Sequence, residues 1–117
     1  MSFEKPISVD SFDKNLSGGS ALSHDLTIAV PDAQLLQIQI CAEATITETI
    51  VVTKVGVEDP TKYLFVLDTT SLNAAKNYIF RPSGMCALKR GDIVRVTCTS
   101  ASAATTIHGR IEYREED

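Results

Sequence analysis

The chain has 117 residues and contains no tryptophan, only three tyrosines and four phenylalanines, and no long apolar run. None of its apolar stretches approaches the roughly 20 residues that a membrane-spanning helix needs. Its opening residues, MSFEKPISVD, lack the apolar core of a secretory signal peptide, so we expect a protein made in the cytoplasm. The three cysteines, Cys41, Cys86 and Cys98, are odd in number and show no CxxC spacing, which predicts reduced thiols.

The charge balance shows no excess of basic residues. Eleven Lys and Arg stand against 15 Asp and Glu, which gives a net charge of −4 at pH 7. Since no basic stripe is present to neutralise phosphates, we expect no nucleic-acid partner. The two histidines and three cysteines are scattered and no pair has metal-ligand spacing, so we expect neither a metal nor another cofactor.

Catalytic motifs are also lacking. The sequence has no phosphate-cradling glycine loop and no nucleophile elbow. His24 and Asp25 are neighbours on a predicted strand, where they point to opposite faces and cannot act as a base and its orienting partner. Cys98 is predicted to point inward and His108 outward, which separates the thiol from the imidazole. We therefore expect no catalytic residue and no enzymatic activity.

The tripeptide Arg90-Gly91-Asp92 matches a cell-adhesion signal, but turn chemistry accounts for each of its residues. Glycine permits the positive φ of a tight turn, and an aspartate can cap such a turn through its carboxylate. We therefore interpret the tripeptide as a turn that precedes a Val-rich strand.

The chain is rich in the alternation that is typical of β-strands. In residues 92–100 and 106–114, apolar side chains alternate with polar ones, which indicates one buried and one wet face. If the intervening loop is centred on Ser102 and Ala103, the two strands pair antiparallel with all apolar members on one face. Gly109 then marks a bulge or a close approach by another backbone. The expected pairs are Cys98 with Ile107, Val96 with Gly109, and Val94 with Ile111.

Further short strands fill the rest of the chain. Turn residues such as Pro31-Asp32 and Pro82-Ser83-Gly84 separate them, and residues 70–76 form one helical turn or a plain loop. Seven or eight short strands joined by turns predict an all-β fold, an antiparallel β-sandwich of jelly-roll type. The remaining predicted strands cover residues 21–30, 35–43, 47–55, 63–68, 77–81 and 85–88.

The composition divides the chain into an N-terminal arm at 1–20, a β-sandwich domain at 21–114 and a charged tail at 115–117. Turn and breaker residues surround isolated apolar residues in the arm. Two interpretations are open: a frayed terminus, or an arm that lies on a neighbouring subunit. In the second, the interaction residues are Phe3, Ile7, Val9 and Phe12.

The order of several segments resembles a known family. It comprises SGGSALSH at 17–24, LLQIQICAEATITETIVVTKV at 35–55, YLFVLDTTSL at 63–72, YIFRPSGMCALKRGDIVRVTCTS at 78–100 and TIHGRIEY at 106–113. This pattern is similar to that of small β-sandwich structural proteins encoded in the morphogenesis clusters of tailed bacteriophages and prophages. The likeness spans residues 17–113, except that the family often carries a Gly-rich Tyr-Asp segment where this chain reads GVEDPTKY at 56–63.

The resemblance implies a virion component, such as a capsid cement or decoration protein that stabilises neighbouring major capsid subunits. It also implies a homo-oligomer, for which we expect a trimer, and the major capsid protein or another virion protein as partner. It defines no binding residues. The alternative is a tail- or fibre-associated module that binds a receptor or a carbohydrate. In that case stacking faces would come from Tyr63, Tyr78, Phe80 or Tyr113, although these aromatics fit the core alternation better.

Overall fold

A computed structural model describes residues 5–16, 21–59, 61–99 and 105–116. These residues form an all-β structure without helix, as the alternation predicted. The described part of the chain therefore contains no helical segment with the length and apolar character of a membrane span. The strands are β1 (Ile7–Asn15), β2 (Leu22–Thr27), β3 (Asp32–Ile46), β4 (Thr49–Val55), β5 (Leu64–Ser71), β6 (Ala75–Phe80), β7 (Ala87–Lys89), β8 (Ile93–Cys98) and β9 (Thr106–Glu115).

The strands form two antiparallel sheets that pack face to face. The first sheet has the order β1-β9-β3-β6, with the short β7 paired to the start of β3, and the second has the order β2-β8-β4-β5. The antiparallel pairs β1–β9, β2–β8, β3–β6 and β4–β5 are nested, each one inside the preceding one along the chain. A five-stranded and a four-stranded sheet with this nesting constitute a jelly-roll sandwich, so the predicted fold class is confirmed.

The predicted hairpin between β8 and β9 is wrong. β8 pairs with β2 and β4 in the second sheet, whereas β9 pairs with β1 and β3 in the first. The chain crosses from one sheet to the other between Cys98 and Thr106, a connection that includes residues outside the described part. Alternation favoured the hairpin because the inner faces of both sheets are apolar, so alternation alone cannot tell pairing in one sheet from facing across two.

Most of the predicted N-terminal arm is a strand of its own chain's sandwich. β1 pairs with β9 over its whole length, from Ile7 opposite Arg114 to Asn15 opposite Thr106. The isolated apolar residues there fall on alternate faces, and Phe12 is buried while Ile7 and Val9 remain exposed. This segment accounts for the ninth strand, which the sequence did not predict.

The core lies between the sheets and consists of the inward-facing aliphatic residues of both. β3 enters it through a bulge between Leu35 and Gln37, so that Leu35 is buried and Leu36 only half-buried, whereas Ile38, Ile40 and Ala42 alternate into the core beyond the bulge. Cys98 belongs to this core, and burial raises the pKa of its thiol to about 11. The most completely buried aliphatic side chains are Leu16, Ile28, Leu35, Ile38, Ile50, Val52, Leu88, Val94, Val96, Ile107 and Ile111.

A polar contact ties the two sheets together on the side where β1 lies beside β2. His24 of β2 stacks on the ring of Phe12 of β1, with centroids 4.3 Å apart and planes 18° apart. The same imidazole donates through Nε2 to Asp10 Oδ2 at 2.5 Å. His24 is therefore a hydrogen-bonded residue at the sheet junction, on the opposite face of its strand from Asp25.

A second polar contact ties the sheets together on the opposite side, where β5 lies near β6. Tyr78 Oη of β6 donates to Asp68 Oδ2 of β5 at 2.5 Å, and Thr70 Oγ1 donates to the same oxygen at 2.8 Å. Burial and the neighbouring carboxylate raise the pKa of Tyr78 well above the ordinary value of a phenol. The ring of Tyr78 therefore packs in the core, and its hydroxyl forms a hydrogen bond that joins the two sheets.

The Arg90-Gly91-Asp92 segment is the turn that its composition predicted. Gly91 has φ of +94°, and Asp92 is 4% exposed. The Asp92 carboxylate accepts hydrogen bonds from the backbone N–H of Lys89 at 3.0 Å and of Val57 at 3.1 Å. An adhesion signal would need an accessible aspartate, whereas this one holds two loops together.

Candidate interaction surfaces

Among the described residues, the longest run of exposed large apolar side chains lies at the start of β5, an edge strand of the second sheet. Tyr63, Leu64, Phe65 and Val66 are 44%, 50%, 49% and 59% exposed, respectively. An edge strand with large apolar side chains is a surface that other chains readily pair with or pack on, and natural proteins usually protect such edges. We name residues 63–66 the β5 apolar segment.

The β5 apolar segment presents different side chains on the two faces of its sheet. Leu64 lies directly opposite Val55, and Val66 lies opposite Thr53, on the outer face. Phe65 lies opposite Lys54, which in turn lies opposite the buried Val94 and therefore belongs to the inner side. A partner on the outer face would contact Leu64 and Val66, and a ligand at the inner side would contact Phe65.

On the inner side, the aromatic residues of this segment line a groove of about 340 Å³ at one end of the sandwich, where β5 approaches β7. The rings of Tyr63 and Phe65 lie 6.3 Å apart with planes tilted by 41°, and Lys54 Nζ lies 6.0 Å from the Phe65 centroid. We name this space the β5–β7 groove. Its lining residues are Lys54, Gly56, Glu58, Tyr63, Phe65, Ala87, Lys89 and Asp92.

Loop hydrogen bonds fix Tyr63 in this groove. Its N–H donates to Asp59 O at 2.8 Å, and its carbonyl accepts from Gly56 N at 2.7 Å. A Cβ on Gly56 would lie 2.6 Å from the Tyr63 Cβ, so only glycine allows this approach. Hydrogen bonds from Thr61 hold the pKa of Asp59 below its usual value and close the loop. The described contacts of Gly56, Asp59 and Thr61 therefore fix the backbone at Tyr63 beside the groove.

A second groove, of about 440 Å³, lies on the outer face of the first sheet. Its most polar feature is His108 of β9, whose Nδ1 contacts Asp13 Oδ1 at 2.5 Å and whose Nε2 contacts Glu43 Oε2 at 2.8 Å. Both carboxylates accept hydrogen bonds only when the ring carries two N–H groups, and they raise the pKa of His108 accordingly. This cluster links β1, β9 and β3 across the face.

The outer-face groove holds one arrangement that the sequence did not predict. Cys41 of β3 lies directly opposite His108, so a thiol, an imidazole and the carboxylate of Asp13 fall in one row across three strands. The His108 nitrogens are both occupied by carboxylates, and the only contact of the Cys41 thiol that the structure resolves is with Ala42 O at 3.8 Å. Among the described residues, no three His, Cys, Asp or Glu side chains are arranged to hold a metal ion.

The predicted interaction residues of the N-terminal segment are separated by the structure. Phe3 lies outside the described residues. Ile7 and Val9 are 49% and 44% exposed on the outer face of β1, whereas Phe12 is buried against Gly109. Phe12 is thus part of its own chain's packing, and a contact of Ile7 and Val9 with a neighbouring subunit stays a prediction.

The four aromatics considered for stacking divide in the same way. Tyr78 is buried, and Phe80 and Tyr113 are half-buried against the core, so Tyr63 alone of the four is exposed. Phe65 is the exposed aromatic that sequence reasoning missed. The run YLFVL at 63–67 shows apolar character, but a sequence does not show that a strand lies at the edge of its sheet.

No protein-family model and no curated protein sequence matches the chain. Among solved structures, a chain of the cyanophage Pam1 capsid asymmetric unit is similar with a TM-score of 0.55 at 13% identity, covering 99% of this chain and 89% of that one. The Drosophila NLP core, described for pentamer formation and histone binding, gives a TM-score of 0.48 at 12% identity over 91% of this chain and 97% of that one. The SPBc2 prophage-derived protein YomS gives 0.42 at 12% identity over 90% and 95%.

The likeness to the Pam1 capsid chain concerns the fold. It extends over nearly the whole jelly roll, including β1, and its 13% identity is too low to carry residue roles from one chain to the other. The two weaker similarities carry no argument about this protein.

Proposed function

We propose that this protein is a non-enzymatic structural protein of a virion, and specifically a capsid cement or decoration protein that binds neighbouring major capsid subunits. The observation that carries the proposal is the β5 apolar segment, four consecutive half-exposed apolar side chains on a sheet edge. The whole-chain likeness to a protein of a cyanophage capsid adds support, as does the family pattern of the sequence.

The physical properties of the chain suit this role. A jelly roll tied at both sides by His24–Asp10 and Tyr78–Asp68 is a rigid body that carries its contact residues on its surface. Contacts repeated over a lattice give high avidity even where each contact is weak, so a small apolar edge is sufficient. We propose the outer-face residues Leu64 and Val66 for the main contact, with Ile7 and Val9 as a second one.

The proposal includes a homo-oligomer, a trimer by expectation, located in the virion. Ile7 and Val9 lie on β1, at one edge of the first sheet, and Leu64 and Val66 lie on β5, at an edge of the second. β1 is next to β2 and β5 is next to β6, so the two apolar surfaces occupy opposite sides of the sandwich. Two different surfaces on one chain suit a head-to-tail contact that closes into a ring.

The absence of catalytic activity is part of the proposal. The outer-face row of Cys41, His108 and Asp13 has the residue types of a nucleophilic site, but Glu43 occupies the nitrogen that would serve as base. Turnover of a substrate that is lost in Cys41→Ser would contradict this part.

The test uses particles of the phage or prophage whose genome encodes the chain. We expect the protein in purified particles at a fixed ratio to the major capsid protein, and a lower temperature of genome release when its gene is deleted. Leu64→Ser with Val66→Ser should reduce its occupancy on particles, whereas Ile79→Ser, which alters an apolar residue 53% exposed on β6, should not. Particles that lack the protein and remain equally resistant to heat and osmotic shock would contradict a cement role.

A further inference from the structure

The β5–β7 groove combines two aromatic faces with polar side chains. Tyr63 and Phe65 form an open V with centroids 6.3 Å apart, and each ring belongs to a side chain about half exposed. Such rings are costly to leave in water and offer flat apolar faces to a ligand. Backbone hydrogen bonds with Gly56 and Asp59 hold the main chain at Tyr63, and Phe65 lies on β5, so the loop and the strand set where the two rings start.

The charges of this groove cancel. Lys54 and Lys89 contribute two ammonium groups, and Glu58 and Asp92 contribute two carboxylates. The Asp92 carboxylate is already engaged within the chain: it accepts two backbone hydrogen bonds and lies 3.9 Å from Lys54 Nζ. The Lys54 ammonium also donates a hydrogen bond to Ala87 O at 3.0 Å. A lining of zero net charge disfavours a phosphate or a polycation and favours a neutral ligand.

We propose that the β5–β7 groove is a binding site for one or two sugar rings of a neutral saccharide. A pyranose has an apolar C–H face, which suits the rings of Tyr63 and Phe65, and a rim of hydroxyl groups that both donate and accept hydrogen bonds. Glu58 and Lys89, both exposed at the groove, supply an acceptor and a donor for that rim. A volume of about 340 Å³ lies at the lower end of the range of roughly 300–1,000 Å³ for ligand pockets, which limits the site to a small ligand.

The site is independent of the proposed capsid contact. Leu64 and Val66 face the outer side of the sheet, whereas Phe65 shares the inner side with Lys54. The proposal therefore goes beyond a cement role, since it gives a particle-bound subunit the means to hold a glycan. A peptide strand is the competing occupant, and it would pair with the β5 backbone and cover Leu64 and Val66 as well.

The test is a titration of the full chain, labelled with 15N, against maltohexaose, cellohexaose, N-acetylchitohexaose and, as a non-cyclic control polyol, sorbitol. At 12.7 kDa the chain is suitable for mapping by amide shifts. We expect at least one hexaose to shift the amides of residues 54–58, 63–65 and 87–92, while sorbitol shifts none. Tyr63→Ala and Phe65→Ala should each weaken binding by at least about tenfold, as the loss of a stacking face predicts. Ile79→Ala, which alters an exposed residue on the other sheet, should leave it unchanged.

The outcomes separate this proposal from the capsid role. If no hexaose shifts these amides at millimolar concentration, or if the shifts survive in both aromatic variants, the saccharide site is wrong. Glu58→Gln serves as a second variant, because an exposed carboxylate can be replaced without loss of folding, and it should weaken binding while the remaining amide spectrum stays unchanged. If the chain self-associates, with broadening of the amide signals of residues 63–66 that Leu64→Ser abolishes, then a peptide strand paired with β5 occupies the site. That result would overturn the proposal. Loss of particle occupancy in the Leu64→Ser, Val66→Ser variant tests the capsid role separately.

Discussion

The ring of Phe12 lies over Gly109, its directly opposite neighbour in the first sheet. A Cβ on Gly109 would come within 2.1 Å of the Phe12 Cζ, and the ring cannot move away because His24 stacks on it at 4.3 Å. An aromatic side chain placed over a glycine on the adjacent strand is a recognised way to fill the gap that the glycine leaves in a sheet. The contact explains why residue 109 is a glycine.

Gly109→Ala should therefore destabilise the protein. Forcing one methyl group into this contact is overpacking, with an expected loss of about 1–3 kcal/mol in the free energy of unfolding. Chemical denaturation measures it, and a Cβ on Gly84 meets nothing within 4 Å, so Gly84→Ala is the matched control and should be close to neutral. Equal effects of the two substitutions would contradict the packing of Phe12 on Gly109.

Tyr78→Phe should weaken the junction of the two sheets. The substitution removes the donor that reaches Asp68 Oδ2 at 2.5 Å and leaves Thr70 as the remaining side-chain donor. Loss of a hydrogen bond to a charged group predicts a decrease of about 1.5–3 kcal/mol in the free energy of unfolding. The same contact predicts that the Tyr78 phenol ionises at higher pH than a free tyrosine, which absorbance near the phenolate band can follow. An ionisation step above the ordinary range of a tyrosine that persists in Tyr78→Phe would contradict the assignment, because the other two tyrosines remain in that variant.

His108 should make stability depend on pH. Hydrogen bonds to Glu43 and Asp13 raise its pKa in the folded chain above the ordinary value of 6.5, so the folded state binds more protons than the unfolded state at neutral pH. Its contribution is fully present below pH 6.5 and is lost as the pH rises through the folded pKa. Urea denaturation of the wild type and His108→Gln should thus differ most near pH 6 and converge at higher pH. A difference that is constant with pH would contradict the carboxylate contacts.

Asp92→Ala should destabilise the turn between β7 and β8. The carboxylate is buried and satisfies the N–H groups of Val57 and Lys89, each of which would lose its partner. The two hydrogen bonds are part-buried, so we expect a loss of about 1–3 kcal/mol in unfolding experiments. Arg90→Ala is the control within the same tripeptide, because Arg90 is exposed and its side chain donates only to Ala29 O at 3.2 Å. Comparable losses in both variants would argue against Asp92 as the capping residue.

The fold class was predictable because alternation reports which side chains face a core and turn residues mark where strands end, so that eight of the nine described strands were predicted. Pairing was not predictable, since Cys98 and Ile107 face the same interior whether they are neighbours in one sheet or lie in facing sheets. The strand at 7–15 was missed because it has few apolar residues and because the strand it pairs with, β9, lies at the far end of the chain. The residues around position 7 do not indicate that this strand pairs with one that includes residue 114.

The candidate surfaces were predictable only in part. Exposure of Ile7 and Val9 agrees with their isolated positions among polar residues, but the role of Phe12 depends on Gly109, almost a hundred residues away. The β5 apolar segment has the composition of a buried strand, and it is exposed because β5 is the edge of its sheet. Surface position is a tertiary property, which composition alone does not determine.

The nesting of the strands has a consequence for synthesis of the chain. β1 leaves the ribosome early, but its only partner in the sheet, β9, is translated after every other described strand. Pairs such as β4–β5 and β3–β6 can form earlier, but β9 is the neighbour of both β1 and β3, so the first sheet stays incomplete until translation has passed residue 115. Closure of the first sheet must therefore follow the synthesis of β9, and until then β1 has no described partner strand in that sheet.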